Sequence, residues 1–299
     1  MKYGITTHYF KPFISDDVKL YKGIKSAGYD YVDYSMYDKM FVENPIFSKS
    51  TREWQNYFKN VRKVIEGEGL QVSQVHCIFP PDFSDKVTHV RDYANEYELD
   101  YYKKELESAS ILGAPFAVVH HLKDGVLSED DKKQETFDKN VVFYGKILPT
   151  AKKFGVKIAI EDLFSKDETS PFGYKKSHIG TAEEMMEFIE YINDDGIVAC
   201  LDVGHINMFD RPVDEAVRIL GNHLKVLHLH DNYGRADLHL PPLYGNVNWL
   251  GLKKALDDIG YNGVYSMELD GIARGKGVNE KIIFKEAQQA LEIIKELWG

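Results

Sequence analysis

Short runs of β-branched and aromatic residues alternate with longer amphipathic stretches along the whole chain. The short runs have the composition of strands, whereas the stretches between them carry apolar residues at helical spacing. Eight strands are predicted, at residues 2–8, 31–36, 71–79, 116–121, 157–162, 197–205, 224–232 and 263–270. Helices are predicted to follow them, among others at 51–69, 131–155, 181–193 and 280–298. Glycines at 28, 69, 155 and 260 fit the left-handed residue that often ends a helix.

This pattern predicts the class of fold. Eight strand–helix units in one chain indicate an α/β fold, a closed (β/α)₈ TIM barrel. An open doubly wound sheet is the main alternative, but no GxGxxG motif follows the first strand. Because no Pro/Gly/Ser-rich linker divides the chain, one domain is predicted over residues 1–299. The loop at 37–50 and the segment 163–180 fit the repeat least well.

Charge and composition narrow the choice of partners. Lysine and arginine number 37 against 47 acidic residues, so the formal charge is -10 and no nucleic acid or membrane partner is expected. The N-terminal stretch has no cationic segment followed by an apolar one, so no signal peptide is predicted. Cys77 and Cys200 lie inside apolar runs, as buried free thiols do. A reduced, cytoplasmic protein is therefore expected.

Groups that can bind a metal stand near the C-terminal ends of six predicted strands, where a barrel places its active site. They are His76, His120 or His121, Glu161, Asp202 with His205, His228 and Glu268. Each has an ordinary structural alternative: His76 could be a hydrogen-bonded core histidine, Asp202 a helix cap and Glu268 part of a salt bridge. Burying them side by side is costly unless a cation neutralises them, so the joint pattern predicts a metal site.

The residue types indicate which metal would bind. Glu161, Asp202, His228 and Glu268 form a nitrogen and oxygen site suited to Mn²⁺, Zn²⁺, Fe²⁺ or Co²⁺ rather than Ca²⁺. Further candidate ligands are His76, His120, His205, Asp237 and His239. They would make the site richer in imidazole, which favours zinc and could accommodate more than one ion. The expected cofactor is a divalent ion, zinc or manganese first, with magnesium, cobalt and iron as alternatives.

Four motifs carry a resemblance to a known family. IAIED, LDVGH, HLHDNYGRADLHLPP and YSMELD are similar to motifs of the sugar phosphate isomerase/epimerase family, the xylose isomerase-like barrels, which are related to endonuclease IV. The resemblance covers the third to the eighth predicted strand and marks the superfamily rather than a substrate. Relatives usually have Pro-Gly-Glu-Gly where this chain has Pro242-Leu243-Tyr244-Gly245, which puts the family's substrate contacts in that loop in doubt.

The resemblance also implies roles for individual residues. It makes Glu161, Asp202, His228 and Glu268 the ligands of the common metal. It makes His205 either a group that orients the substrate or a ligand of another ion. In the trinuclear nuclease relatives, the positions that match His76, His120, His205, Asp237 and His239 are ligands as well, so all nine are present here.

Three functions remain open, in a definite order. The first is a metal-dependent isomerase or epimerase of a sugar or sugar phosphate, in which Glu161 and Glu268 move protons and His205 assists. The predicted substrate-binding residues are His76, His120, His230 and Arg235, although an exposed arginine without a role is an alternative for the last. The second is an endonuclease IV-like zinc phosphoesterase, or another hydrolase or lyase of a small substrate. The third is a binding or sensing barrel. One ion is favoured over several, and a homodimer is an open alternative.

Overall fold

The computed structural model describes residues 1–36, 46–78, 96–122, 133–167, 170–171, 173–269 and 277–299. Several of the predicted elements extend past these limits. Part of the loop predicted at 37–50, and the ends of the elements predicted at 71–79, 131–155 and 263–270, lie outside the described residues.

Eight parallel strands close into a barrel within the described part of the chain. They are β1 Lys2–Thr6, β2 Tyr31–Ser35, β3 Gln71–His76, β4 Phe116–Val118, β5 Lys157–Glu161, β8 Ile197–Asp202, β9 Leu224–Leu229 and β10 Val264–Met267. Neighbours in the barrel follow one another along the chain, and β10 pairs with β1 to complete the ring. The predicted TIM barrel is confirmed, because each barrel strand lies inside one of the eight predicted windows.

Helices follow the strands and pack on the outside of the barrel. They are α1 Asp17–Ser26, α2 Thr51–Gly67, α3 Glu96–Leu112, α4 Lys133–Phe154, α5 Ala182–Ile192, α7 Val213–Leu220, α8 Trp249–Asp258 and α9 Glu280–Trp298, while the short α6, Val203–Met208, follows β8 directly. Short 3₁₀ helices occupy Ile46–Ser48 and Gly221–His223. The four glycines predicted to end helices all have positive φ, between 66° and 98°. Among the helices described, none has the length and apolar character that a bilayer crossing requires.

The segment 163–180 and the ends of several strands differ from the sequence prediction. The windows 2–8, 116–121 and 224–232, for example, run past strands that end at Thr6, Val118 and Leu229. The segment 163–180 contains a hairpin of two short antiparallel strands, β6 Phe164–Lys166 and β7 Tyr174–Lys176. The strand predicted at 197–205 ends at Asp202, so its prediction was too long. The cause is local, because the Asp202 side chain accepts a hydrogen bond from the His205 backbone N–H and thereby starts α6.

Apolar side chains form two separate cores. The larger one lies between the strands and the helices and includes Trp54, Phe58 and Trp249. The smaller one consists of Val118, Ala159, Val198, Cys200 and Val226, all from barrel strands. Because side chains alternate between the two faces of a strand, this second set fills the barrel interior, where small and branched residues fit. Cys77 and Cys200 are buried and free, as predicted.

Two bulges determine which side chains enter the interior. Val32 pairs with Val72 but Asp33 pairs with Gln74, so Ser73 is an extra residue in β3. In the same way Ala199 pairs with Leu224 and Cys200 with Val226, so Lys225 is extra in β9. An extra residue exchanges the two faces of the strand beyond it. Gln74 and His76 in β3, and Val226 and His228 in β9, therefore face the interior.

Candidate metal centre

Acidic and imidazole groups from six strands meet at one rim of the barrel. The groups are His76, His120, Glu161, Asp202, His228 and Glu268, from β3, β4, β5, β8, β9 and β10. Each lies within two residues of the C-terminal end of its strand, as predicted. All but Glu268 are buried, and the Glu268 side chain is 18% exposed. The rim is therefore a buried polar cluster with one carboxylate at its edge.

Glu161, Asp202, His228 and Glu268 form the centre of this cluster, and their candidate ligand atoms all lie within 4.8 Å of one another. Nδ1 of His228 is 2.8 Å from Oε1 of Glu161, 3.2 Å from Oε2 of Glu268 and 3.9 Å from Oδ2 of Asp202. Three carboxylates thus surround one ring nitrogen. We call these four residues the central group.

Two further histidines contact the other oxygen of Glu161. Nε2 of His120 lies 2.7 Å from Oε2 of Glu161, and Nε2 of His76 lies 3.6 Å from the same atom. Burial disfavours the charged form of His76, but the nearby carboxylate of Glu161 outweighs it and raises the pKa of His76 to about 9. Burial also opposes ionisation of Glu161, yet His228 and His120 hold the pKa of its carboxyl well below the usual range.

Glu268 is shifted in the opposite direction to Glu161. Burial raises the pKa of the Glu268 carboxyl, and although His228 and His239 lower it, the negative charges of Glu161 and Asp202 add to the increase. Two carboxylates that share one imidazole neighbour therefore have pKa values displaced in opposite directions. The excess of negative charge around His228 thus bears on Glu268 rather than on Glu161.

A second set of residues, the outer group, adjoins the central group on the side of the loop after β9. It consists of His205, His230, Asp237 and His239. Nε2 of His230 lies 2.8 Å from Oδ1 of Asp202, which connects the two groups. Asp237 contacts Nε2 of His239 at 3.0 Å and Nε2 of His205 at 3.7 Å. The structure thus brings together all nine predicted ligands, and His230 with them.

Backbone carbonyl groups fix the orientation of three of these imidazoles. Nδ1–H of His76 donates to the oxygen of Cys77, that of His205 to the oxygen of Asp162, and that of His239 to the oxygen of Glu268, at 3.0, 2.7 and 3.0 Å. A carbonyl oxygen only accepts, so the hydrogen is on Nδ1 in each ring. Nε2 of each ring therefore faces the carboxylates of the cluster.

Asp202 has two functions at once. Its Oδ1 caps α6 by accepting from the His205 N–H at 2.8 Å, which is the structural alternative considered from sequence. Its carboxylate also contacts His230 and takes part in the central group. Position 204 requires glycine, since a Cβ there would lie 1.9 Å from Cε1 of His230. In the Asp-Val-Gly-His motif, Asp202 thus caps α6 and contacts His230, and Gly204 leaves room for the His230 ring.

The loop after β9 is held by Asp231, which does not face the cluster. Its Oδ1 accepts from the N–H groups of Asn232 and Val247, and its Oδ2 accepts from the indole of Trp249 at 2.9 Å. Its backbone pairs with Leu240. These bonds bring the segment that carries Asp237 and His239 back over the rim of the barrel.

Arg235 lies apart from the cluster. Its side chain is exposed and lines a crevice of about 370 Å³ together with Tyr174, Lys175 and Met208. Its predicted role in substrate binding stays a prediction. A second cavity, of about 560 Å³, lies at the opposite end of the barrel, where Lys2, Phe116 and Val264 begin their strands. Its lining includes none of the clustered acidic and imidazole groups, so the larger volume of this cavity does not identify it as the functional site.

Two buried carboxylates near the cluster are not among the residues predicted from the sequence. Asp162 accepts the N–H of Asp202 at 2.8 Å, and Asp33 approaches His228 from β2. Asp162 directly follows Glu161 in the IAIED motif, so adjacency could have indicated it. Asp33 stands alone between Val32 and Tyr34, and only the alternation of strand faces could have pointed to it.

The donor set of the central group fits a divalent cation. Three carboxylates around one imidazole carry more negative charge than the ring can balance, and burial makes that excess costly. The raised pKa of Glu268 is the response to be expected when no cation is present. A mixture of carboxylate oxygen and imidazole nitrogen suits zinc or manganese.

Comparisons with known proteins agree with this arrangement. The model of the xylose isomerase-like TIM barrel family matches residues 22–297. D-psicose 3-epimerase from Ruminiclostridium cellulolyticum is 27% identical over 175 residues, and the match spans 54% of this chain and about half, 55%, of that protein. This curated relative is an isomerase-class enzyme, in line with the class predicted from the sequence.

Solved structures share the fold. The crystal structure of D-psicose 3-epimerase with D-tagatose from Clostridium cellulolyticum H10 matches 100% of this chain and 99% of that one, with a TM-score of 0.74 at 19% identity. The structure of the IOLI protein with a binding zinc atom matches 99% of this chain and 96% of that one, with a TM-score of 0.69 at 18% identity.

Proposed function

The chain belongs to the xylose isomerase-like TIM barrel family, and on that premise we propose that it is a divalent-metal-dependent isomerase or epimerase of a keto sugar or sugar phosphate. One observation carries the proposal: Glu161 and Glu268, from different strands, contact the same nitrogen of His228, at 2.8 and 3.2 Å. A pair of this kind can remove a proton from carbon and return one. The D-psicose 3-epimerase relative supports a sugar as substrate.

The central group would hold the metal. Glu161, Asp202, His228 and Glu268 supply three carboxylates and one imidazole, which favour zinc or manganese, with magnesium, cobalt and iron as alternatives. When bound, a divalent ion supplies the charge that polarises a carbonyl and acidifies the neighbouring C–H bond. The zinc atom of the structurally similar IOLI protein supports the metal dependence.

The protein's own residues would move the proton and orient the substrate. Glu161 and Glu268 approach Nδ1 of His228 from different strands, so one carboxylate can accept a proton from carbon while the other returns one. His205 has Nδ1 fixed on the carbonyl of Asp162, which leaves Nε2 to bind a substrate hydroxyl. The buried His76, His120 and His230 offer further hydroxyl contacts at the rim.

Product analysis tests this function. The protein, stripped with a chelator and reloaded with Zn²⁺ or Mn²⁺, is incubated with ketopentoses, ketohexoses and their phosphates, and the products are separated by chromatography. We expect an epimer or an aldose isomer from at least one sugar, and none from the stripped control. If the reloaded protein converts no sugar of the panel, the proposal fails.

A second function is supported by the outer group. His205, His230, Asp237 and His239 adjoin the central group and could hold additional ions, which a zinc phosphoesterase would use. The net charge of -10 disfavours a polyanionic substrate and leaves small phosphate esters. Hydrolysis of such an ester by the zinc-loaded protein, without conversion of any sugar, would place this function first.

A further inference from the structure

His228 is oriented differently from the other imidazoles of the site. His76, His205 and His239 each place Nδ1 on a backbone carbonyl and Nε2 toward the carboxylates. His228 does the reverse, because Nδ1 faces Glu161 and Glu268 while Nε2, which makes no well-formed hydrogen bond among the described residues, lies 3.3 Å from Oδ2 of Asp33. In place of a carbonyl group, a carboxylate from β2 stands behind this ring.

Asp33 reaches His228 across the barrel. The two residues lie on β2 and β9, which are separated in the ring of strands by β1 and β10. Both side chains are fully buried, and Nε2 of Gln74, the neighbour of Asp33 on β3, donates to Oδ2 of Asp33 at 3.1 Å. The bulge at Ser73 is what turns Gln74 inward to make this contact. Asp33 is thus held from one side and directed at His228.

The contacts of this carboxylate point to His228. Its Oδ2 accepts from the Gln74 amide and lies beside Nε2 of His228, whereas its Oδ1 has no hydrogen-bond partner within the described part of the structure. A role as metal ligand does not account for Asp33. Asp33 lies at the ring nitrogen that faces away from the central group and belongs to none of the candidate ligand groups found among the described residues.

We propose that Asp33 is a positioning residue that keeps the hydrogen of His228 on Nε2, so that the lone pair of Nδ1 is available to the metal. The inference rests on the metal centre proposed above. A carboxylate behind a ligating imidazole fixes its tautomer and its orientation and increases its basicity. An uncharged acceptor, such as the carbonyl groups behind the other rings, would do so less strongly. His228, whose Nδ1 lies among the three carboxylates, has a carboxylate of this kind, Asp33, at its Nε2.

The test measures binding of Co²⁺ to the stripped protein by visible absorption, in wild type and in Asp33→Asn, which keeps the shape and removes the charge. We expect Asp33→Asn to bind Co²⁺ 10- to 100-fold more weakly, roughly the range for such partners, with a changed absorption spectrum. His228→Ala should also weaken binding. Adding Asp33→Asn to His228→Ala should cause no further loss, because Asp33 acts through that ring.

Two more variants keep the result interpretable. Glu105→Gln, which removes another fully buried carboxylate in α3, should fold and bind Co²⁺ like wild type. Gln74→Met leaves Asp33 in place but removes the amide that donates to it, so it should also weaken Co²⁺ binding, by a smaller factor. If Asp33→Asn does not fold, Gln74→Met serves as the test variant. Unchanged binding in Asp33→Asn, or an equal loss with and without His228, overturns the inference. If His228→Ala binds Co²⁺ like wild type, the metal centre itself is wrong, and the inference fails with it.

Discussion

At the scale of single residues, the site depends on the balance between carboxylates and imidazoles. The central group places three carboxylates around His228, whereas the outer group places three imidazoles around Asp237. The first arrangement has excess negative charge and calls for a cation. The second can be satisfied by hydrogen bonds among its own members, such as the 3.0 Å contact between His239 and Asp237.

The two glutamates of the central group should be indispensable for activity. Replacing either carboxylate by an amide removes a proton acceptor or donor, and general acid–base groups typically contribute 10²- to 10⁴-fold in rate. We expect Glu161→Gln and Glu268→Gln each to abolish sugar conversion while circular dichroism stays that of the folded barrel. Full activity in either variant would remove that glutamate from the mechanism.

The two histidines of β9 and its end should differ in their effect on metal content. Nδ1 of His228 is surrounded by all three central carboxylates, whereas His230 contacts Asp202 and lies near Glu268 at the edge of the group. We expect His228→Ala to lower the metal content of the purified protein more than His230→Ala, as measured by elemental analysis. The opposite order would mean that the metal is centred on the outer group.

At the scale of elements, the strands were predictable, whereas their exact ends and the bulges were not. Apolar runs that lead to Glu161, Asp202 or His228 indicate a strand directly from the sequence, but the helix that begins after Asp202 shortens the strand predicted at 197–205. Ser73 and Lys225 have no property that marks an extra residue, so the faces of β3 and β9 could not be assigned from sequence. The contact between Asp33 and His228 depends on pairing across the barrel, which local pattern does not contain.

The loop after β9 should depend on a single side chain. Asp231→Ala would leave the backbone N–H of Val247 and the indole N–H of Trp249 buried without their acceptor. Each loss costs about 1–3 kcal/mol of folding free energy. We expect a lower free energy of unfolding in urea and a weaker affinity for any ligand that contacts His239. Asp231→Asn, which keeps the shape and one acceptor oxygen, should cost less. Equal stability of Asp231→Ala and wild type would show that the loop is held by other contacts.

At the scale of the whole molecule, the barrel collects groups that are far apart in sequence at one rim. Its charge of -10 keeps polyanions away, while the buried centre retains its own excess of negative charge for a small cation. The fold, the rim and the polar groups at the strand ends follow from the repeat of strands and helices, whereas Asp237 and His239 were predicted from the motif in the loop after β9. The direction of each imidazole does not, because it is set by acceptors such as Asp33 and the carbonyl of Asp162.

The same charge balance predicts how many ions the protein retains. We expect native mass spectrometry of the wild type to show one tightly bound divalent ion, with the outer group free to contact substrate hydroxyls. The combined variant Asp237→Ala and His239→Ala should keep that stoichiometry. Two or three tightly held zinc ions in the wild type, lost in the variant, would favour the phosphoesterase.

The most direct measurement of metal-dependent proton transfer is the uptake of solvent deuterium into a keto sugar. Ketoses and their phosphates are incubated in deuterated water with the reloaded protein, and NMR follows the loss of each C–H signal. The account predicts exchange at a carbon next to the carbonyl, which disappears when the metal is removed and returns when it is restored. Exchange that is absent from every sugar, or that continues unchanged in the metal-free protein, would contradict it.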